Sequence, residues 1–108
     1  MAFITDVNDV AERLVNLDID LLRAFVTVVE TGSFTRAAAL LGRTQPAVSL
    51  QIRRLEDQLR SPVFDRGGKG VSLTTEGAAL LPQARRLLRL NDEIVSTLGE
   101  GDLAGEVR

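Results

Sequence analysis

Between Ser33 and Leu59 the chain carries two complete sets of helix punctuation placed back to back. Ser33 offers a side-chain oxygen suited to an N-cap, and Phe34, Ala37, Ala38 and Leu41 recur behind it at helical spacing. Gly42 then supplies a left-handed stop. Thr44 caps a second helix, and Pro46 falls in its first turn, where a missing N–H has no intrahelical partner to lose. Val48, Ile52, Leu55 and Leu59 form one apolar stripe along it. Only about three residues separate the two helices, which is the connection a helix-turn-helix requires. Such a unit presents the polar side of its second helix to DNA.

The flanking segments complete a small helical domain. The spacing of Val7, Val10, Ala11 and Leu14 predicts a short amphipathic helix within residues 1–17. Asp18 caps a helix running to about Glu30, with Leu21, Leu22, Phe25, Val26 and Val29 facing inward and Gly32 as its end. Past the second and third helices, Ser61-Pro62 ends the helical register. Val63–Arg66 and Val71–Leu73 then read as short strands on either side of Gly67-Gly68-Lys69-Gly70, a β wing. Thr74 caps a long helix expected to end at about Leu98, before Gly99, and Pro82 is expected to kink it or loosen its preceding turn. Leu80, Ala84, Leu87, Asn91, Ile94 and Leu98 alternate in steps of four and three along it, a heptad seam. Such a seam needs a partner, and the expected one is the same helix of a second chain, with Asn91 fixing register. The alternative is that the helix folds back on its own domain.

Composition narrows the chemistry further. A chain of 108 residues with neither cysteine nor histidine has no disulfides, no zinc-finger ligands, no thiol nucleophile and none of the commonest general base. No paired carboxylates stand out, and GGKG lacks the spacing of a phosphate-binding loop, so neither an enzyme nor a cofactor or metal is expected. Asp6, Asp9 and Glu12 interrupt any apolar run near the N-terminus, so neither a signal peptide nor a membrane span is read there and a cytoplasmic chain is expected. The net charge of −2 hides a strong asymmetry. Residues 1–35 sum to −4 and residues 76–108 to −2, whereas residues 36–75 carry seven bases against three acids, for +4. The positive block coincides with the helix-turn-helix and wing, as a nucleic-acid footprint would.

From Asp18 to about Leu90 the sequence resembles the N-terminal DNA-binding region of LysR-type transcriptional regulators. The blocks that carry the resemblance are GSFTRAA at Gly32–Ala38, QPAVS at Gln45–Ser49, IRRLE at Ile52–Glu56, FDR at Phe64–Arg66 and LTTEG at Leu73–Gly77. It implies a mostly α fold: a winged helix-turn-helix with a two-stranded β wing, followed by a long dimerisation or linker helix. The implied layout is an N-terminal extension over 1–17, the DNA-binding domain over 18–74, the linker helix over 75–98, and over 99–108 the start of a hinge toward an effector-binding domain that these residues do not include. The implied function is sequence-specific binding of double-stranded DNA by a regulator of transcription initiation, as a homodimer on an interrupted inverted repeat.

At about 100° per residue, the apolar stripe leaves Pro46, Ser49, Leu50, Arg53 and Asp57 on the opposite side of the third helix, with Gln45 in its first turn. The Gln45 amide suits adenine N6 and N7, Ser49 suits several bases, and Pro46 suits a thymine methyl. The family's reading positions match at Gln45, Pro46 and Ser49. Leu50 departs from the polar or basic residue many members carry there, and it suits a thymine methyl rather than guanine. Backbone contacts are expected from Ser33, Thr35 and Arg36 at the start of the second helix, from Thr44, and from Arg53 and Arg54 as the third helix leaves the groove. Arg66 and Lys69 are expected to contact DNA from the wing. The competing reading, prompted by the net acidity and by Leu50, is a winged-helix protein-interaction or dimerisation module without DNA binding.

Overall fold

The computed structural model describes residues 14–68 and 70–106, with side chains through residue 99. The amphipathic segment proposed for the N-terminus and the wing residue Lys69 lie outside the described residues, apart from Leu14, which is exposed. Four helices carry the architecture: α1 Ile19–Thr31, α2 Phe34–Leu41, α3 Gln45–Leu59 and α4 Thr75–Glu106. Among the described residues none is long and apolar enough to cross a membrane.

The helix boundaries follow the punctuation. Gly32 and Gly42 close α1 and α2 in the left-handed region at φ 68° and 67°. Ser33 Oγ accepts the Arg36 N–H at 3.1 Å, and Thr44 Oγ1 accepts the Ala47 N–H at 3.2 Å, so both predicted caps form. Asp18 holds the cap position of α1 without a side-chain cap bond; its backbone carbonyl instead accepts the N–H groups of Leu21 and Leu22. Arg60 closes α3 at φ 57°, the one non-glycine residue with positive φ among those described. Its N–H and that of Ser61 satisfy the last carbonyls of the helix.

The core sits where α1, α2 and α3 meet. Leu22 and Phe25 of α1, Ala37 of α2, and Val48, Ile52 and Leu55 of α3 are almost completely enclosed. Burial of each of the larger side chains stabilises the fold by about 1.5 to 3 kcal/mol. The small Ala37 and Ala38 let α2 approach both neighbours closely. Phe64, just past α3, places its ring 5.4 Å from Phe25 and 5.5 Å from Phe34, in tilted and edge-on arrangements.

The two expected strands reduce to a single antiparallel bridge between Phe64 and Leu73. Two backbone hydrogen bonds hold it, Asp65 N–H to the Ser72 carbonyl at 2.8 Å and Thr74 N–H to the Val63 carbonyl at 3.1 Å. The ladder does not extend for identifiable reasons. Pro62 has no N–H to give, and the Val63 N–H is taken by the Glu56 carboxylate at 2.8 Å. Asp65 Oδ1 accepts the Gly67 N–H at 3.0 Å, which turns the chain away before another pair forms.

Thr74 Oγ1 accepts the Gly77 N–H at 3.0 Å and donates to the Pro62 carbonyl at 2.7 Å, so the start of α4 is both capped and fastened to the end of α3. The helix passes through Pro82 without a break. The proline leaves the Ala78 carbonyl without its i+4 donor, but on an exposed side of the helix that solvent can reach. Two further expectations are corrected. Helix α4 continues past Leu98 and Gly99 to Glu106, since glycine lowers helix propensity without forbidding helical φ and ψ. Ala84 is 1% exposed and belongs to the domain's own core together with Leu88, while Leu80 packs partly against it, so the first half of the seam faces inward.

Helices α1 and α4 run antiparallel. Arg23 donates to both carboxylate oxygens of Asp92 at 2.8 and 3.2 Å, and Glu30 faces Arg85 at 3.7 Å. The hydrogen bond from Arg23, and after it one from Asn91, hold the Asp92 carboxyl below the ordinary carboxylate range. A folded-state pKa below the unfolded one gives stabilisation that is present above about pH 4 and lost as pH falls through the folded value. Asp92→Asn is accordingly expected to lower the melting temperature slightly at pH 7, with the gap to the unaltered chain closing on acidification. A gap that stays constant down to pH 2 would assign the effect to something other than this ion pair.

Gly77 is the tightest joint of the fold. A methyl group there would overlap the Val63 carbonyl oxygen, which is backbone and already engaged by Thr74. Gly77→Ala is expected to destabilise the domain by about 1 to 3 kcal/mol, the usual range for forcing a methyl into a packed site. Urea titration measures it, and an unchanged midpoint would show that α4 can shift freely on Val63.

Candidate nucleic-acid interface

Helix α3 divides its circumference cleanly. Val48, Ile52 and Leu55 are fully enclosed on one side. Pro46, Leu50, Arg53 and Asp57 are exposed on the other, with Ser49 half-buried between them. Gln45, also exposed, lies in the first turn, and its Nε2 donates to Ser49 Oγ at 2.7 Å. This i, i+4 hydrogen bond ties the two polar side chains into one unit. The amide keeps a second N–H and its carbonyl oxygen free, which are the two groups that adenine N7 and N6 require. Leu50 is 48% exposed beside them.

The N-terminal end of α2 lies at the other edge of this surface. The Ser33 and Thr44 hydroxyls are occupied as acceptors by cap bonds, yet each retains its O–H as a donor, so capping and an anion contact are compatible. Thr35, Arg36, Arg53 and Arg54 are exposed. Among the described residues, none of these three arginines has a carboxylate within salt-bridge distance. Arg66 differs: its Nη2 donates to Glu56 Oε1 at 2.9 Å. Arg43, in the turn, faces Asp20 at a loose 3.9 Å. Asp57 carries a negative charge onto the exposed side of α3 one turn beyond Arg53, so the phosphate-compatible stretch of that face ends at Arg53 and Arg54.

Sequence reasoning assigns Glu56 no role, although the structure places it at the centre of the wing's attachment. Its side chain is 13% exposed, and its carboxylate accepts the N–H groups of Val63 at 2.8 Å and Phe64 at 3.5 Å as well as the Arg66 guanidinium. The available signal was an acid on the flank of an otherwise cationic helix, a position that needs a partner nearby. Helix α4 is a separate region. Leu87, Leu90, Ile94 and Leu98 are 42%, 57%, 53% and 68% exposed along it, and Asn91 is half-buried beside its paired neighbour Asp92. Among the described residues no cluster of acids could hold a metal ion.

Comparison with known proteins agrees with this geometry. Residues 19–78 match the family described as bacterial regulatory helix-turn-helix protein, lysR family. The chain is 48% identical over 93 residues to the HTH-type transcriptional regulator DgdR of Burkholderia cepacia, covering 86% of this chain and 32% of that protein. It is 59% identical over 68 residues to the HTH-type transcriptional regulator AbaB of Streptomyces antibioticus, covering 63% and 23%. It thus spans about a third or less of the length of these relatives. Among solved structures it is similar to the BenM DNA-binding domain in complex with catB site 1 DNA, with TM-score 0.73, 39% identity, and 78% of this chain and 94% of that one covered. It is also similar to Vibrio fischeri DarR in complex with DNA, with TM-score 0.76, 30% identity, and 83% and 31% covered. With its caps, its short turn and its outward polar face on α3 all in place, the chain belongs to the LysR family of bacterial helix-turn-helix regulatory proteins.

Proposed function

We propose that this chain is the DNA-binding part of a transcriptional regulator that recognises double-stranded DNA in a sequence-specific way, as a homodimer on an interrupted inverted repeat, and so controls transcription initiation. Effector sensing would belong to residues outside this chain. The observation that carries the reading is the Gln45–Ser49 unit at the N-terminal end of α3, together with the exposed cations Arg36, Arg53 and Arg54, which have no acidic partner among the described residues. In this geometry Gln45, Pro46, Ser49 and Leu50 face base edges in the major groove, and Ser33, Thr35, Arg36, Thr44, Arg53 and Arg54 lie along the phosphates on either side. Arg66 and Lys69 contact the backbone from the wing. The similar BenM and DarR structures contain DNA, which supports the same partner here.

Dimerisation supplies the second half-site. Leu87, Asn91, Ile94 and Leu98 remain available for the seam, and the exposed Leu90 joins them, whereas Leu80 and Ala84 serve the domain's own core. A single helix cannot cover a stripe of that length by itself, and two copies side by side cover both. Two half-site contacts then add in free energy once the arms hold them at a fixed spacing.

The alternative of an interaction module without DNA binding is favoured by one observation, the exposed Leu50 on the reading face. Titration of duplex at several salt concentrations separates the two, because phosphate neutralisation gives a linear fall of log affinity with log salt. In that assay Gln45→Ala is expected to cost about 1 to 3 kcal/mol on a site selected from random duplex pools and little on random DNA. Equal losses on both would return Gln45 to a purely local role. For the dimer, Leu87→Glu combined with Ile94→Glu is expected to weaken self-association by roughly a hundredfold or more, since both charges enter an apolar seam. Sedimentation alongside circular dichroism measures this, and a folded dimer that survives both charges would relocate the interface.

A further inference from the structure

We infer that Glu56 is a positioning residue for DNA binding: from the third helix it fixes the base of the wing and holds the Arg66 guanidinium at the surface, aimed at a phosphate. The inference deepens the function proposed above and rests on it. Its structural basis is a layered set of contacts. The carboxylate is 13% exposed and the arginine side chain outside it is 54% exposed, so the anion lies under the cation rather than beside it. Oε2 accepts the Val63 N–H at 2.8 Å and the Phe64 N–H at 3.5 Å, and Oε1 accepts Arg66 Nη2 at 2.9 Å. Three donors thus meet one carboxylate, and both of its oxygens are engaged.

The contacts on the protein side are what make this more than a surface ion pair. The same Val63 whose N–H reaches Glu56 gives its carbonyl to Thr74, and its side chain is completely enclosed. Glu56 is therefore anchored to the most confined peptide of the wing. Arg66, in contrast, is followed by Gly67 and Gly68 and has no other side-chain partner among the described residues. A free arginine in that setting would spread over many rotamers, and fixing it at a phosphate would cost side-chain entropy. The Glu56 bond removes most of that freedom beforehand. It uses one of five guanidinium N–H groups and leaves the others for an anion.

A double-mutant cycle on the full 108-residue chain tests the inference, with a random-sequence duplex as probe because a phosphate contact is independent of sequence. Affinity is measured against salt for the unaltered chain, Glu56→Ala, Arg66→Ala and the double variant. The expected result is that each single variant lowers the salt slope by about 0.9, one phosphate contact. The double variant should bind no more weakly than the weaker single one. Glu56→Gln covers the case in which alanine unfolds the wing, since its amide oxygen still accepts the Val63 N–H while its NH2 cannot accept from Arg66. It should keep the thermal stability near that of the unaltered chain and still show the reduced slope. A Glu56 variant that is folded and keeps the full slope would overturn the assignment. So would losses that multiply in the double variant, or tighter binding with a steeper slope on removing the acid. If the unaltered chain shows no salt-dependent duplex binding, the function proposed above fails together with this inference. Binding by the unaltered chain with independent effects of the two residues defeats the inference alone.

Discussion

The Val63 peptide is the constraint on which the domain's geometry depends. Its N–H is held by Glu56 from α3, its carbonyl by Thr74 from the returning wing, and the same carbonyl lies so close to Gly77 of α4 that no side chain fits between them. One enclosed peptide therefore touches α3, the segment returning from the Phe64–Leu73 bridge, and α4. None of the three can move without breaking one of these hydrogen bonds or opening a packed joint. Phe64, the next residue, continues the fastening into the core by packing its ring against Phe25 and Phe34.

Charge is sorted by location. The pairs Arg23–Asp92 and Arg85–Glu30 lie where α1 meets α4, and Arg66–Glu56 lies at the root of the wing. The exposed Arg36, Arg53 and Arg54 have no acidic partner among the described residues, and residues 36–75 carry a local charge of +4 although the chain as a whole carries −2. Local sign, rather than the sum, governs attraction over a screening distance of about 8 to 10 Å. Surface pairs of this kind contribute little stability each.

Much of this organisation was legible in the sequence because it is written in local chemistry. Ser33, Gly42, Thr44 and the stripe Val48, Ile52 and Leu55 each act within a turn or two of themselves, and the structure places them as their residue types require. The misread features all depend on distant partners. Val63–Arg66 has strand-like composition, but whether a ladder forms was decided by Glu56 capturing a donor from another element. Ala84 fits a heptad seam as well as any alanine, and only the approach of α1 assigns it inward. Gly99 looks like a helix stop, yet α4 continues through it to Glu106. Glu56 was invisible for the same reason, since its three donors are seven to ten residues away across a turn.

Helix α4 spans 32 residues but is fastened to the domain only along its first part, through Gly77, Ala84, Leu88 and Asp92. At a rise of about 1.5 Å per residue the helix is about 48 Å long, and the stretch beyond Asp92, about 21 Å, is held by none of these contacts, so a bend of about 10° at Asp92 sweeps the far end through about 3.7 Å. That exceeds the rise of about 3.4 Å that separates neighbouring base pairs. In the proposed dimer, the packing that fixes α4 on its own domain from Gly77 to Asp92 would therefore act as a gauge, setting the distance between the two α3 surfaces. A strain too small to disturb α3 in either copy would then change which spacing of half-sites the proposed pair fits.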